Sequence, residues 1–161
     1  MASIKPNGPD TDISATSRRT IGNMARVAAN QTLEDAALIE GARQMLRGRK
    51  KIAALAPKGL FRDSAWDMML ELFISEGEGG VLYVKHIMLA SGESAAAAMR
   101  RIDRLHEADF IKRIPDPLDQ RRVIVRLTER GRRAMIAMLK HVFDPGAAAG
   151  AHPVGYRPAR G

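Results

Sequence analysis

The stretch from Phe110 to Leu127, FIKRIPDPLDQRRVIVRL, limits the possible folds more than any other part of the chain. In RRVIVRL the residues Val123, Val125 and Leu127 alternate with Arg122, Ile124 and Arg126, the period-two signature of a half-buried strand. FIKRI (110–114) reads as its antiparallel partner. PDPLDQ (115–120), with two prolines, reads as the turn between them. The other sustained apolar patterns follow the helical period, so the chain is expected to be a helical protein carrying a small β element.

Five helical segments surround the hairpin. The first is expected over Leu33–Leu55, with Leu38, Ala42, Met45, Ile52 and Leu55 as a loose stripe interrupted by RGRKK at 47–51. At 1.5 Å per residue it would exceed ~30 Å, and so thin a stripe on so long a helix suggests contact with a second subunit. Asp63 suits the N-cap of the second helix, whose Trp66, Met69, Leu70 and Phe73 fall at i, i+3, i+4 and i+7. EGEGG (76–80) ends it, and Val81–Tyr83 can pair briefly as a strand. A third, short helix runs to Ala90 with Val84, Ile87 and Met88 inward and His86 outward. Ser91-Gly92 forms a tight turn, and Ser94 caps a fourth helix over 95–108. At 100° per residue, Ala95, Ala98, Ile102 and Leu105 share one face of that helix. Ala97, Arg100, Arg101 and Arg104 share the opposite one. Thr128 caps a last helix through Phe143, with Ala134, Met138, Leu139 and Val142 as its stripe and Pro145-Gly146 as its stop.

The ends differ in composition from the middle. Residues 1–30 are expected to form a flexible basic arm whose Arg18, Arg19 and Arg26 can brush a phosphate backbone, and 144–161 a disordered tail. Residues 31–143 form one domain. The chain of 161 residues carries a formal charge of +8, which suggests a polyanionic partner. It has no cysteine, which excludes disulfides and thiolate metal sites. No apolar run reaches the ~18 residues of a membrane span, and the N-terminus has no signal-peptide core. The expectation is a cytoplasmic, nucleoid-associated protein with no membrane partner. The four histidines form no metal or base set, and no glycine-rich phosphate loop occurs. No enzyme activity, metal or cofactor is therefore expected.

Helix, helix, tight turn, helix and hairpin, in that order, define a winged helix-turn-helix: mainly α with a small β wing and flanking dimerisation helices. A helix fits the major groove of B-DNA, and a basic hairpin beside it can reach the flanking backbone or minor groove. Residues 111–133 hold eight basic and three acidic side chains, a local charge of +5. The recognition helix is expected at 94–108 and the wing at 111–127.

DPLDQRRVIVRLTERG (116–131) resembles the wing of MarR-type regulators: Asp-Pro-x-Asp-x-Arg, alternating apolar residues, then Leu-Thr-x-x-Gly. MRRIDRLHEADFIKR (99–113) is similar to the end of their recognition helix. LFRDSAWDMMLELF (60–73) with LYVKHIMLASG (82–92) resembles a MarR-like subgroup met in alphaproteobacteria. The likeness covers residues 33–143. It implies a homodimeric, double-stranded-DNA-binding transcriptional regulator. In such a regulator Ser94, Ala96, Ala97 and Arg100 face bases or backbone, Arg101 and Arg104 lie on the same basic face, and Arg121 or Arg122 reaches the minor groove. Asp119 braces the wing arginines. Such regulators often bind phenolic effectors between their dimer and DNA-binding parts, but no residue here marks one. Two departures stand out. Family members continue with another long helix after the one following the wing, whereas here the dimer would rest on the first helix and the post-wing helix. Positions 96 and 97, commonly Ser or Thr, are both alanine, which can touch thymine methyls but cannot hydrogen-bond. Two other readings stand beside the regulator: a nucleoid-type protein binding DNA with little sequence preference, and a winged helix acting as a protein-interaction module.

Overall fold

The computed structural model describes the backbone of residues 13–143 and the side chains of residues 32–143. The chain divides into two compact units, Met1–Ala36 and Ala37–Gly161. The described part of the first is helical from Ile13 and belongs to α1 (Ile13–Leu55). This corrects the expected start at Leu33; of the arm expected over 1–30, residues 13–30 are helical and residues 1–12 lie outside the described residues. Lengthening a helix is far easier than starting one, and MARVAAN (24–30) is rich in good helix formers despite having no apolar stripe. The side chains of Arg18, Arg19 and Arg26 lie outside the described residues, as do the tail over 144–161 and its Pro145-Gly146 stop.

The second unit contains the rest of α1, then α2 (Ser64–Gly77), β1 (Leu82–Tyr83), α3 (Val84–Ser91), α4 (Ala95–Glu107), β2 (Ile111–Pro115), β3 (Val123–Leu127) and α5 (Glu129–Phe143). The strands form one antiparallel sheet in the order β1-β3-β2. Leu82 pairs with Val125 and Tyr83 with Ile124 on one side of β3. Ile111 pairs with Leu127 and Pro115 with Val123 on the other. Helix α3, a tight turn, helix α4 and a hairpin completed by β1 make this a winged helix-turn-helix.

Helix α2 is the centre of the core. Met68, Met69, Leu70, Leu72, Phe73 and Ile74 are all buried, against Ile87 of α3, Ala98 and Ile102 of α4, Val125 and Leu127 of β3, and Met135 and Leu139 of α5. Asp63 Oδ1 accepts from the Trp66 N–H at 3.2 Å, as its N-cap position predicts. Glu76 Oε1 accepts from the Leu127 N–H at 2.7 Å, fastening the end of β3 to α2.

Two helices keep only part of their expected stripes, and a third is rotated. In α1 the buried residues are Leu38, Ala42 and Leu46, while Ile52 and Leu55 are exposed. The basic run that interrupts the stripe is part of the packing: Arg49 Nε bonds Asp67 at 2.6 Å and Lys50 Nζ bonds Glu71 at 2.7 Å, while Arg43 pairs with Glu78. In α4, Ala95 is exposed and Ala98 and Ile102 form the inner face. In α5 the inner line is Gly131, Met135 and Leu139, and Met138 and Val142 are exposed.

The reason for the rotation of α5 lies at its start. Thr128 Oγ1 accepts from the Gly131 N–H at 2.9 Å and donates to the Asp109 carbonyl at 2.5 Å. Gly131 therefore lies against the chain entering β2, where an added Cβ would stand 2.0 Å from the Phe110 carbonyl oxygen. That is backbone, which cannot swing aside. We expect Gly131→Ala to destabilise the fold by about 1–3 kcal/mol through overpacking. At Gly48, in α1, an added Cβ meets nothing within 4 Å. Gly48→Ala should stabilise by roughly 0.5–1 kcal/mol. Urea unfolding of the two variants checks both signs.

Candidate nucleic-acid interface

The turn before α4 is held at several points. Gly92, at φ 61°, ends α3 in the left-handed conformation that glycine adopts most readily. Ser91 Oγ donates to the Met88 carbonyl at 2.6 Å and accepts from the Glu93 N–H at 3.2 Å. Arg62, from the loop ahead of α2, donates to the Ser91 carbonyl at 2.7 Å. Ser94 Oγ then accepts from the Ala97 N–H at 3.3 Å, so this side chain caps the helix.

Beyond the cap, Glu93, Ala97, Arg100, Arg101 and Arg104 line a cleft of about 160 Å³. Arg100 and Arg104 are exposed and form no ion pair among the described residues. Arg101 stands 3.6 Å from Glu93, a weak pairing. Ala96 is exposed, and Ala97 is half-buried. The face is thus two small side chains followed by guanidinium groups available to an anion or a base edge.

The wing is fastened to this helix and to α3. Arg113 of β2 pairs with Asp103 of α4 at 2.9 Å. Asp116, at the start of the turn, is only 3% exposed. Its carboxylate accepts from the Leu118 N–H at 2.9 Å and the Tyr83 hydroxyl at 3.0 Å, and pairs with Arg122 at 3.1 Å. The Arg122 guanidinium also pairs with Asp119 at 3.3 Å and lies 4.9 Å from the centre of the Tyr83 ring. The Leu118 N–H, the Tyr83 hydroxyl and Arg122 hold the Asp116 carboxyl below the usual aspartate range, against the effect of burial. Donation to Asp116 raises the Tyr83 phenol in turn.

This latch separates the two wing arginines. Arg122 is held by Asp116, Asp119 and Tyr83. Asp119 also accepts from the Arg121 backbone N–H at 3.1 Å, while the Arg121 side chain is exposed and makes no ion pair among the described residues. A second cleft, of about 510 Å³, runs between α3, α4 and the wing and includes Tyr83, Lys85, Met99, Arg113, Arg121 and Arg122 in its lining.

The residues singled out in the sequence thus fall into groups. Ala97, Arg100, Arg101 and Arg104 come together on one cleft, with Ala96 exposed nearby in sequence and Ser94 serving the helix end. Arg121 and Arg122 line the other cleft, only the former with a free side chain. The sequence reading missed Tyr83 and gave Asp116 no role beyond the turn. An aspartate between two prolines reads as a turn residue, and only the pairing of β1 with β3 brings a phenol to it.

No family model matches the chain, and no curated protein matches it. Among solved structures, it is similar to wild-type MarR from E. coli in its apo form, at 16% identity over 79% of this chain and 78% of that one, with a TM-score of 0.43. A complex of S. aureus MepR with DNA shares 16% identity over 82% of this chain and 86% of that one, at a TM-score of 0.45. A probable transcriptional regulator from Pseudomonas aeruginosa shares 24% identity over 69% and 80%, at 0.42.

The latch makes the wing sensitive to acid. Because the folded-state value of Asp116 lies below its unfolded value of about 3.9, its stabilisation is present above that value and is lost as pH falls through the depressed one. We expect Asp116→Asn to remove this part of the acid response, so that the difference in Tm between mutant and wild type shrinks from pH 6 to pH 2. Thermal unfolding across that range measures it.

Proposed function

We propose that the chain is a DNA-binding transcriptional regulator of the MarR type, not an enzyme, working as a homodimer on the cytoplasmic nucleoid. The observation that carries this reading is the exposed, unpaired Arg100 and Arg104 beside Ala97 on α4. That helix stands clear of the core on this face and is flanked by a basic wing. Such a helix enters the major groove with its first turns at the base edges. Ala96 and Ala97 permit close approach and can touch thymine methyls. Arg100 can bond guanine O6 and N7 bidentately. Arg121, free at the wing, supplies a contact to backbone or minor groove. Arg122 acts through the latch and shapes the wing from within. For the dimer, support comes from the exposed apolar side chains of Ile52 and Leu55 on α1 and of Met138, Val142 and Phe143 on α5.

Two measurements test the reading. Duplex binding should weaken linearly in log–log form with added salt, by roughly 0.9 per phosphate contacted. Arg100→Ala should cost about 1–3 kcal/mol at the cognate site and much less on scrambled DNA. Equal loss on both would make Arg100 a phosphate clamp and favour the nucleoid-type reading, and a flat salt response would favour the protein-interaction module.

The assembly is tested separately. Sedimentation at micromolar concentration should show a dimer, and Leu55→Glu combined with Val142→Glu should shift it to monomer. On DNA the dimer should span two half-sites roughly 34–36 Å apart. A wild-type protein that stays monomeric with and without DNA would rule the dimer out.

A further inference from the structure

The wing tip carries a feature that charge does not explain. Leu118 is 92% exposed, at the end of the turn between β2 and β3. Pro115 and Pro117 beside it are exposed as well. Single exposed apolar side chains are common on protein surfaces. This one differs in what carries it. Its own N–H is held by Asp116 Oδ1 at 2.9 Å. The loop around it is closed by Asp119 N–H to the Asp116 carbonyl at 3.3 Å, Arg122 N–H to the Asp119 carbonyl at 2.9 Å, and Asp116 N–H to the Arg122 carbonyl at 3.0 Å. Two prolines restrict the backbone further. The leucine is therefore presented by a preordered loop, and its neighbour in that loop, Arg121, is the wing arginine left free.

We propose that Leu118 is an apolar wedge, which enters the minor groove of duplex DNA and partly unstacks a base step while Arg121 holds the adjoining backbone. The proposal rests on the DNA-binding reading above and adds a deformation to it. Side chains that are apolar, protruding and held by a stiff backbone can open a base step, because a flexible loop would yield before the stack does. Proteins that insert such wedges kink the duplex by roughly 20–90°. Pyrimidine–purine steps such as TA and CA open most easily, and A-tracts resist. Leu118 would thereby make the wing select its flanking sequence by deformability, without a hydrogen bond to any base.

The test uses full-length protein and duplexes labelled at both ends, so that energy transfer reports the bend. One duplex carries TA steps under the wing and another an A-tract. The wild type should bend the first and favour it over the second. Leu118→Ala should abolish the bend and lose roughly tenfold in affinity on the TA duplex, the scale expected for no longer burying one leucine side chain. It should change little on the A-tract. Its salt slope should match that of the wild type, because no charge has been removed, whereas Arg121→Ala should lower that slope by about one. Leu118→Met should keep the bend. Salt-dependent binding to unbent DNA by the wild type would overturn the wedge and leave the regulator reading intact, as would equal bending by wild type and Leu118→Ala. Absence of salt-dependent duplex binding would overturn both. The exposure of the side chain means that none of these variants threatens the fold.

Discussion

Strand β3 is hydrogen-bonded on both edges, and the arrangement of α3, α4 and the wing follows from that. Its five residues pair with β2 on one side and two of them, Ile124 and Val125, with β1 on the other, so one short segment fixes where α3 begins and where the wing hangs. Each end is tied by a carboxylate. Glu76 of α2 takes the Leu127 N–H, and Asp116 gathers Tyr83, Arg122 and the turn at the other end. An ionised carboxylate at so little exposure persists only when its oxygens are bonded, which the hydroxyl, the amide and the guanidinium accomplish together. The position of the wing relative to α3 is thus set by paired backbone and a satisfied charge.

The same arrangement sorts the cations. A net charge of +8 spread evenly would attract any polyanion. Here much of the positive charge is already committed. Arg49 and Lys50 join α1 to acids of α2 and Arg43 joins it to Glu78 just past the end of α2, Arg113 joins the wing to α4, and Arg122 is taken up by the latch. Pairs in which both partners are exposed contribute only about 0–1 kcal/mol each, so their main effect is geometric, whereas Arg49–Asp67 and Arg122–Asp116 each set a guanidinium against a buried carboxylate. Among the described residues, Arg100 and Arg104 on the face of α4 and Arg121 at the wing turn keep exposed guanidinium groups out of any ion pair, on otherwise fastened elements.

Much of this was legible in the sequence where the signal was local. The caps at Asp63, Ser94 and Thr128, the hairpin strands, the turn at Gly92 and the arginine face of α4 depend on residues within one turn or one hairpin of each other, and they stand in the structure where spacing placed them. What could not be read depends on distant partners. The rotation of α5 is dictated by the carbonyl of Phe110 pressing on Gly131, so the stripe moved from Met138 and Val142 to Met135. The burial of Asp116 requires a tyrosine supplied by β1. The basic run at 47–51 looked like a break in a stripe because the acids that receive it lie on α2. The early start of α1 escaped because residues 1–30 show no sustained apolar period in the sequence.

The glycine that ends α3 carries a consequence of its own. The space a side chain at position 92 would occupy is filled by the guanidinium of Arg62, Nη1 lying 1.2 Å from where its Cβ would sit. Arg62 is also the group that bonds the Ser91 carbonyl at the turn. The bend between the two helices is therefore shared property of two distant positions. A side chain at 92 would have to displace the arginine, which would free the Ser91 carbonyl and leave the loop before α2 without its anchor on α3. Among descendants of this chain the two positions should drift together or not at all, and a change at residue 62 should loosen the turn from which α4 starts, although that residue belongs to the loop ahead of α2.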